Sequence, residues 1–233
     1  MPSDMSYKDW KKSFVDGDEM DMSQEKPNTQ NREKAWIESD ERESSKPKYA
    51  SQKSVINRKQ IASAKYRRKY DALPEDMDIQ RKACGSAREM LKHRSGTKYE
   101  DLVFIDSVTG KSKARTDFNK EFCVSPSKKM IEMIENADHY TIIGIHNHPH
   151  SSVPSIDDLY CAKERKYKYG IVACHDGTVY KYSVHEEIND PMVNSGLDLL
   201  EKAKYNENKN ERMNMMNNAL KILRDGGIEM EVL

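Results

Sequence analysis

The sequence predicts an α/β (α+β) fold, in which helices flank a mixed β-sheet, and three observations indicate this class. Residues 102–105 and 140–145 are short apolar runs rich in branched side chains, which is typical of buried strands. Residues 79–93 carry apolar side chains at helical spacing. Asp176 and Gly177 lie between two further apolar runs and predict a β-hairpin turn. Helices and strands are thus interspersed along one stretch of chain.

The remaining elements follow from turn residues and from the spacing of apolar side chains. Further helices are predicted at residues 127–136, 155–168, 191–206 and 208–224, and further strands at 111–115, 170–174 and 179–184. The pair Gly226 and Gly227 predicts the end of the last helix.

Composition and element order divide the chain into four parts. Charged residues make up 33% of the chain and hydrophobic residues 36%, which is too polar for one compact domain of 233 residues. We therefore expect part of the chain to be extended or weakly ordered. The four parts are a weakly ordered arm (residues 1–45), a basic helical linker (46–77), a central domain (78–186) and a C-terminal helical extension (187–233).

The linker is expected to be a basic amphipathic helix. Between Lys46 and Tyr70 there are nine lysines or arginines and no acidic residue, while Val55, Ala62 and Tyr66 recur at helical spacing. Such a helix either contacts nucleic acid or another polyanion, or packs on the domain with its charges solvated. In both cases we expect it to add few contacts to the sheet.

The overall composition says more about cellular setting than about partners. The 39 basic and 39 acidic residues cancel, so the net charge favours no kind of partner. No run of 18 apolar residues occurs, and the first residues lack the apolar core of a secretion signal, so no membrane span or signal peptide is expected. The four cysteines are widely spaced, which predicts the reduced thiols of a cytoplasmic protein.

The stretch richest in reactive side chains begins where the strand at residues 140–145 ends. His146 and His148 are two positions apart, so in an extended chain both side chains point the same way. Ser155 can cap a helix whose first turn contains Asp158, and a loop can bring that turn back to the histidines. Two imidazoles and one carboxylate suit Zn²⁺ with a fourth position open for water, which is the arrangement of a catalytic zinc site.

This pattern, His-x-His-Pro followed by a short loop and Ser-x-x-Asp, resembles the signature of the JAMM (MPN-plus, or JAB-type) zinc metalloproteases. The resemblance implies a mixed sheet with flanking helices, an architecture also found in cytidine deaminases. It implies that His146, His148 and Asp158 bind zinc and that Ser155 assists beside the zinc-bound water. The loop from His148 to Ser155 is shorter than in other members of that family, so a tighter loop is expected.

The same resemblance implies an upstream glutamate that acts as general base. Proteins of that family place it just before a strand that follows a helix, and Glu100 has this position ahead of residues 102–105. The implied reaction is hydrolysis of a peptide or isopeptide bond by metal-activated water, with Glu100 transferring the proton. Asp101 is expected to point to the other face of the sheet. His175, in the hairpin turn, is expected at the surface; a role next to the metal site is the alternative.

Residues 93–106 and 172–184 also resemble domains found at the C-terminal end of some bacteriophage minor head (head-morphogenesis) proteins. This implies a phage or prophage setting, in the host cytoplasm or the virion, with head or portal proteins as candidate partners. Two function classes stay open: a zinc metallopeptidase that acts on a protein or peptide, and a structural head protein whose metal site mainly stabilises the fold. A structural zinc needs neither Glu100 nor Ser155, which favours the enzyme.

Overall fold

A six-stranded mixed sheet with helices packed against it forms the framework of the protein. The computed structural model describes residues 54–184 and 187–233. In that part of the chain the helices are α1 (Arg58–Ala62), α2 (Ala64–Asp71), α3 (Met77–Arg94), α4 (Lys128–Glu135), α5 (Ile156–Glu164), α6 (Asp190–Lys204) and α7 (Lys209–Asp225). The strands are β1 (Leu102–Asp106), β2 (Ser112–Arg115), β3 (Ile142–His148), β4 (Tyr169–Cys174), β5 (Val179–Val184) and β6 (Ile228–Val232).

Two further expectations concern the N-terminal arm and a membrane span. The predicted arm, residues 1–45, lies outside the described residues, as do the first residues of the linker. None of the helices that the structure describes is both long and apolar enough to cross a bilayer.

The sheet has the strand order β2-β1-β3-β4-β5-β6. β3 and β4 are parallel and are connected through α5, whereas all other neighbouring strands are antiparallel. The pairing of β1 with β3 ends at Leu102, which lies opposite His146. The pairing of β3 with β4 continues as far as His148, opposite Cys174. β3 therefore extends beyond its ladder with β1 at the end that carries the histidines.

Strand alternation divides the side chains of the sheet between two hydrophobic clusters, one on each face. On the first face, Val103, Ile145 and Ile171 pack with buried residues of α1, α2 and α3. On the second, Phe104 and Val172 pack with buried residues of α4, α5, α6 and α7. We call these the α3 face and the α5 face. In β1 and β3, odd-numbered residues belong to the α3 face and even-numbered residues to the α5 face.

The predicted α/β class is confirmed, and the predicted helices and strands of the central domain are present. Residues 187–233 were predicted to be a helical extension, and this is wrong in one respect. The two helices, α6 and α7, are followed by a strand. This strand, β6, pairs with β5 and widens the sheet. Its burial alternates, with Ile228 and Met230 buried and Glu229 and Glu231 exposed, a period-2 pattern that covers only five residues.

The basic linker is helical, as predicted, in the part that the structure describes, but the prediction of one continuous helix is wrong. Two short helices replace the single helix, because Ser63 leaves the helical conformation and caps α2 with its side chain. Ile61, Tyr66 and Tyr70 are buried in the cluster on the α3 face. The lysines and arginines of α1 and α2 remain mostly exposed. The charge of the segment is therefore solvated while its few apolar side chains belong to the core.

We expect replacement of Ile61 by alanine to destabilise the whole domain. The side chain is fully buried, so its loss leaves a cavity and should lower the free energy of unfolding by about 2–5 kcal/mol. Urea denaturation measures this difference, and Lys65→Ala on the exposed side of α2 is the control. An Ile61→Ala protein as stable as the control would mean that the segment does not belong to the core.

Candidate metal centre

The side chains of the predicted zinc site meet at one end of the sheet, on the α5 face. His146 and His148 occupy even positions of β3 and are both buried. Pro149 follows the strand, and a short loop leads to α5. Asp158 lies in the first turn of α5 and faces back toward the histidines. Strand, loop and helix start thus place the three side chains in one cluster, as predicted from their spacing.

The donor atoms of these three residues converge closely. The Nε2 atoms of His146 and His148 are 3.0 Å apart. Oδ1 of Asp158 lies 3.2 Å from Nε2 of His146, and Oδ2 lies 3.4 Å from Nε2 of His148. Two ligand atoms of a tetrahedral zinc, each at about 2.0–2.2 Å from the metal, are about 3.4 Å from one another. The spacing of the three donors therefore fits a single zinc ion.

A contact on the far side of the imidazole sets the tautomer of His148. Nδ1 lies 3.2 Å from the carbonyl oxygen of Ser152 and 3.0 Å from its hydroxyl. Because a carbonyl only accepts, Nδ1–H donates to it, and the neutral form of the ring then has its lone pair on Nε2, the atom that faces Asp158. Metal-binding histidines commonly have such a partner, which fixes both the tautomer and the ring orientation.

Ser155 and Asp158 form a capping box at the start of α5. The backbone N–H of Ser155 donates to Oδ2 of Asp158 at 2.7 Å, and the Ser155 hydroxyl donates to the same oxygen at 2.8 Å. Burial acts to raise the pKa of Asp158, but the imidazoles of His146 and His148 outweigh burial and hold that pKa well below its ordinary value. The carboxylate is therefore ionised and is oriented toward the histidines.

Glu100, the predicted general base, lies beside these residues. One of its carboxylate oxygens and the ring nitrogens of His146 and His148 all lie within 4.8 Å of one another. The residue is 6% exposed. Burial raises the pKa of Glu100 to about 8, with His148 acting in the opposite direction and Asp158 in the same direction. A carboxyl with a pKa near neutrality can both accept and release a proton.

The structure thus brings together all five residues that the sequence singled out: Glu100, His146, His148, Ser155 and Asp158. Two nitrogen donors and one carboxylate are a ligand set that zinc accepts. The second carboxyl, that of Glu100, lies within 4.8 Å of the imidazole donors, which is close enough to act as a further ligand or to hydrogen-bond to a water molecule between them.

Helix α6 holds the loop that leads into α5, a feature that sequence analysis missed. The Glu201 carboxylate accepts a hydrogen bond from the backbone N–H of Val153 at 3.1 Å, and the Lys204 ammonium donates to the carbonyl of Ser151. Ser151 has a φ of 59°, in the left-handed region that non-glycine residues seldom adopt. Glu201 and Lys204 lie 48 and 53 positions beyond their partners, so no local pattern could indicate these contacts.

We expect Glu201→Ala to weaken zinc binding without removing a ligand. The loop would lose one of its anchors to α6, and changes to outer partners of metal ligands typically cost about 10–100-fold in affinity. Competition with a fluorescent zinc chelator measures the effect. Asp198→Ala, at an exposed position of the same helix, is the control. Equal affinities in the two variants would show that α6 does not support the site.

His175 is buried, contrary to the expectation that it lies at the surface; it is 2% exposed. Its Nδ1 lies 2.5 Å from the carbonyl oxygen of Ser54, and its Nε2 lies 3.1 Å from the side-chain nitrogen of Asn147. The predicted hairpin turn is present, and Gly177 there adopts a φ of 86°. The turn contacts the segment around Ser54 that precedes α1, and this segment covers His175.

Asp101 points away from the candidate metal site, as strand alternation predicts. It is fully buried, and its carboxylate accepts a hydrogen bond from Arg94 at 2.5 Å and lies 2.7 Å from Nδ1 of His93. Both partners belong to α3, and Arg94 is itself buried. This pair fixes the segment that carries Glu100 to α3.

Comparisons of the chain with models of protein families, with curated proteins and with solved structures found no match.

Proposed function

We propose that the protein is a zinc metallopeptidase of JAMM type that hydrolyses a peptide or isopeptide bond. The observation that supports this best is the convergence of His146, His148 and Asp158 beside the buried carboxyl of Glu100. A purely structural zinc is closed by four protein ligands and needs no proton-transferring group beside it. A bound zinc would polarise the substrate carbonyl and lower the pKa of a water molecule.

Each residue has a role that follows from its position. His146, His148 and Asp158 would hold the metal. Glu100, the buried carboxyl beside the histidines, would accept the proton of the attacking water and deliver it to the leaving amine. Ser155 orients Asp158 through the capping box. Its exposed hydroxyl, which donates to Asp158 in this structure, would turn its single proton to a substrate oxyanion in order to stabilise it. A covalent serine mechanism is disfavoured, because both nearby histidines serve the metal.

The proposed setting is a phage or prophage, with a protein or peptide as substrate and with head or portal proteins as partners. This part of the proposal rests on the resemblance of residues 93–106 and 172–184 to minor head proteins. The same resemblance supports the second candidate function, a structural head protein in the host cytoplasm or the virion. The exposed basic residues of α1 and α2 are the candidate surface for nucleic acid.

A cleavage assay separates the two candidate functions. The zinc-loaded protein is incubated with a panel of linear peptides, isopeptide-linked conjugates and co-encoded head proteins. We expect cleavage that a chelator abolishes and added zinc restores. If zinc-loaded protein cuts no member of the panel and a Glu100→Gln phage assembles heads normally, the structural function is the correct one.

A further inference from the structure

We infer that Asn147 is a positioning residue that holds Glu100 at the metal centre; this inference rests on the proposed function. Asn147 lies between the two histidines of β3 and is fully buried on the α3 face. Its Oδ1 accepts a hydrogen bond from the backbone N–H of Asp101 at 2.8 Å, and its Nδ2 donates to the carbonyl of Tyr99 at 3.2 Å. Tyr99 and Asp101 are the two neighbours of Glu100, so one side-chain amide holds the backbone on both sides of it.

The side-chain amide of Asn147 replaces the backbone hydrogen bonds that β1 and β3 no longer form at this point. The ladder between β1 and β3 ends at Leu102 opposite His146. One step further, Asp101 would face Asn147 in the same register. The side chain of Asn147 supplies the hydrogen-bond partners there, so the buried backbone groups stay satisfied although the ladder has ended. Glu100 can therefore lie outside the regular sheet and still be fixed.

A second contact determines the orientation of the amide. Nδ1 of His175 faces the carbonyl of Ser54, which only accepts, so the ring proton is on Nδ1 and Nε2 is an acceptor. The group of Asn147 that faces Nε2 is therefore its NH₂, at 3.1 Å. Both donors and the acceptor of the amide are then used, and Oδ1 must face Asp101. Ser54 and His175 thus fix the amide that fixes Glu100.

The contacts of Asn147 are on the opposite face from the chemistry. The Glu100 carboxyl lies beside the imidazoles of His146 and His148, which are on the α5 face. The hydrogen bonds of Asn147 go to the backbone on either side of Glu100 and to His175, so it acts on Glu100 through the backbone. A displacement of a catalytic group by about 1 Å can cost about 10²-fold in rate, which makes such a support functionally significant.

The first test needs no substrate. Crystal structures of the zinc-loaded wild type and of Asn147→Ala are compared, and exchange of the Asp101 amide hydrogen is followed by NMR. We expect the Glu100 carboxyl to shift by more than about 1 Å and the Asp101 amide to exchange at least about tenfold faster. Asn136→Ala, at the exposed end of α4, is the control and should change neither. An unmoved Glu100 with a protected Asp101 amide would overturn the inference.

The second test uses turnover. Asn147→Ala should keep its zinc and its KM and lose about 10–100-fold in kcat. In a Glu100→Gln background the same change should cost nothing further, because the group that it positions is already inactive. A loss of equal size in both backgrounds would mean that Asn147 only stabilises the fold.

A further variant covers the case in which Asn147→Ala does not fold. His175→Ala removes one partner of the amide and leaves Asn147 in place, so we expect a smaller rise in Asp101 exchange and a smaller loss of kcat. Unchanged values for both would contradict the inference. If the wild type cleaves no substrate, the proposed function fails, and the crystal and exchange measurements still decide whether Asn147 holds Glu100.

Discussion

Replacement of His148 by alanine is expected to reduce the zinc content from about one ion per chain to near zero. The change removes one of three converging donors and also the ring that Ser152 holds in place. The remaining donors, His146 and Asp158, are too few to hold zinc against its hydration. Metal analysis of purified protein by mass spectrometry measures the content directly.

The control for this variant is His139→Ala, which removes an exposed histidine on the segment before β3. It should retain the zinc content of the wild type. Full zinc content in His148→Ala, at a stability equal to that of the control, would contradict the ligand assignment.

Glu100→Gln is expected to have the largest effect on turnover. The amide keeps the size and the hydrogen-bonding shape of the carboxyl but cannot accept the proton, so kcat should fall by about 10²–10⁴-fold. Zinc content should stay the same, because the assigned ligands are unchanged. Ser155→Ala should cost less, since the backbone N–H of Ser155 still bonds to Asp158.

Glu121→Gln provides a matched comparison, because it neutralises an exposed glutamate that forms an ion pair with Lys98. Its turnover should equal that of the wild type. Equal turnover in Glu100→Gln would remove the catalytic role assigned to that residue. Loss of zinc from Glu100→Gln would show instead that this carboxyl is itself a ligand.

Local rules account for much of the site. Strand alternation places His146 and His148 on one face and separates Glu100 from Asp101. The capping preference of serine accounts for the start of α5 and hence for the position of Asp158. Each of these effects depends on residues that are close together in the sequence, so the sequence pattern alone can predict it.

The features that sequence analysis missed depend on contacts between distant segments. Glu201 and Lys204 look like ordinary helix-surface charges until α6 packs against the loop before α5. Asn147 resembles a polar residue at a strand end, and its role arises only where β1 and β3 cease to pair. His175 is buried because the stretch around Ser54 covers the hairpin turn.

The predictions about the fold that were wrong failed for a similar reason. In the linker, the predicted apolar spacing included Tyr66 correctly, but Val55 and Ala62 are exposed. The buried side chains are Ile61, Tyr66 and Tyr70, which complete the cluster on the α3 face. In β6, five residues give too short an alternation to distinguish a strand from a helix end. The linker helices pack on α3, and β6 pairs with β5, so both features depend on segments that are distant in the sequence.

The most direct test of the metal centre is an anomalous-scattering map from crystals of the zinc-loaded protein, recorded on both sides of the zinc absorption edge. We expect one peak at about 2.0–2.2 Å from Nε2 of His146, Nε2 of His148 and a carboxylate oxygen of Asp158, with Glu100 bonded to the group at the fourth position rather than to the metal. A peak elsewhere, or no peak between these side chains in crystals that contain zinc, would contradict the account.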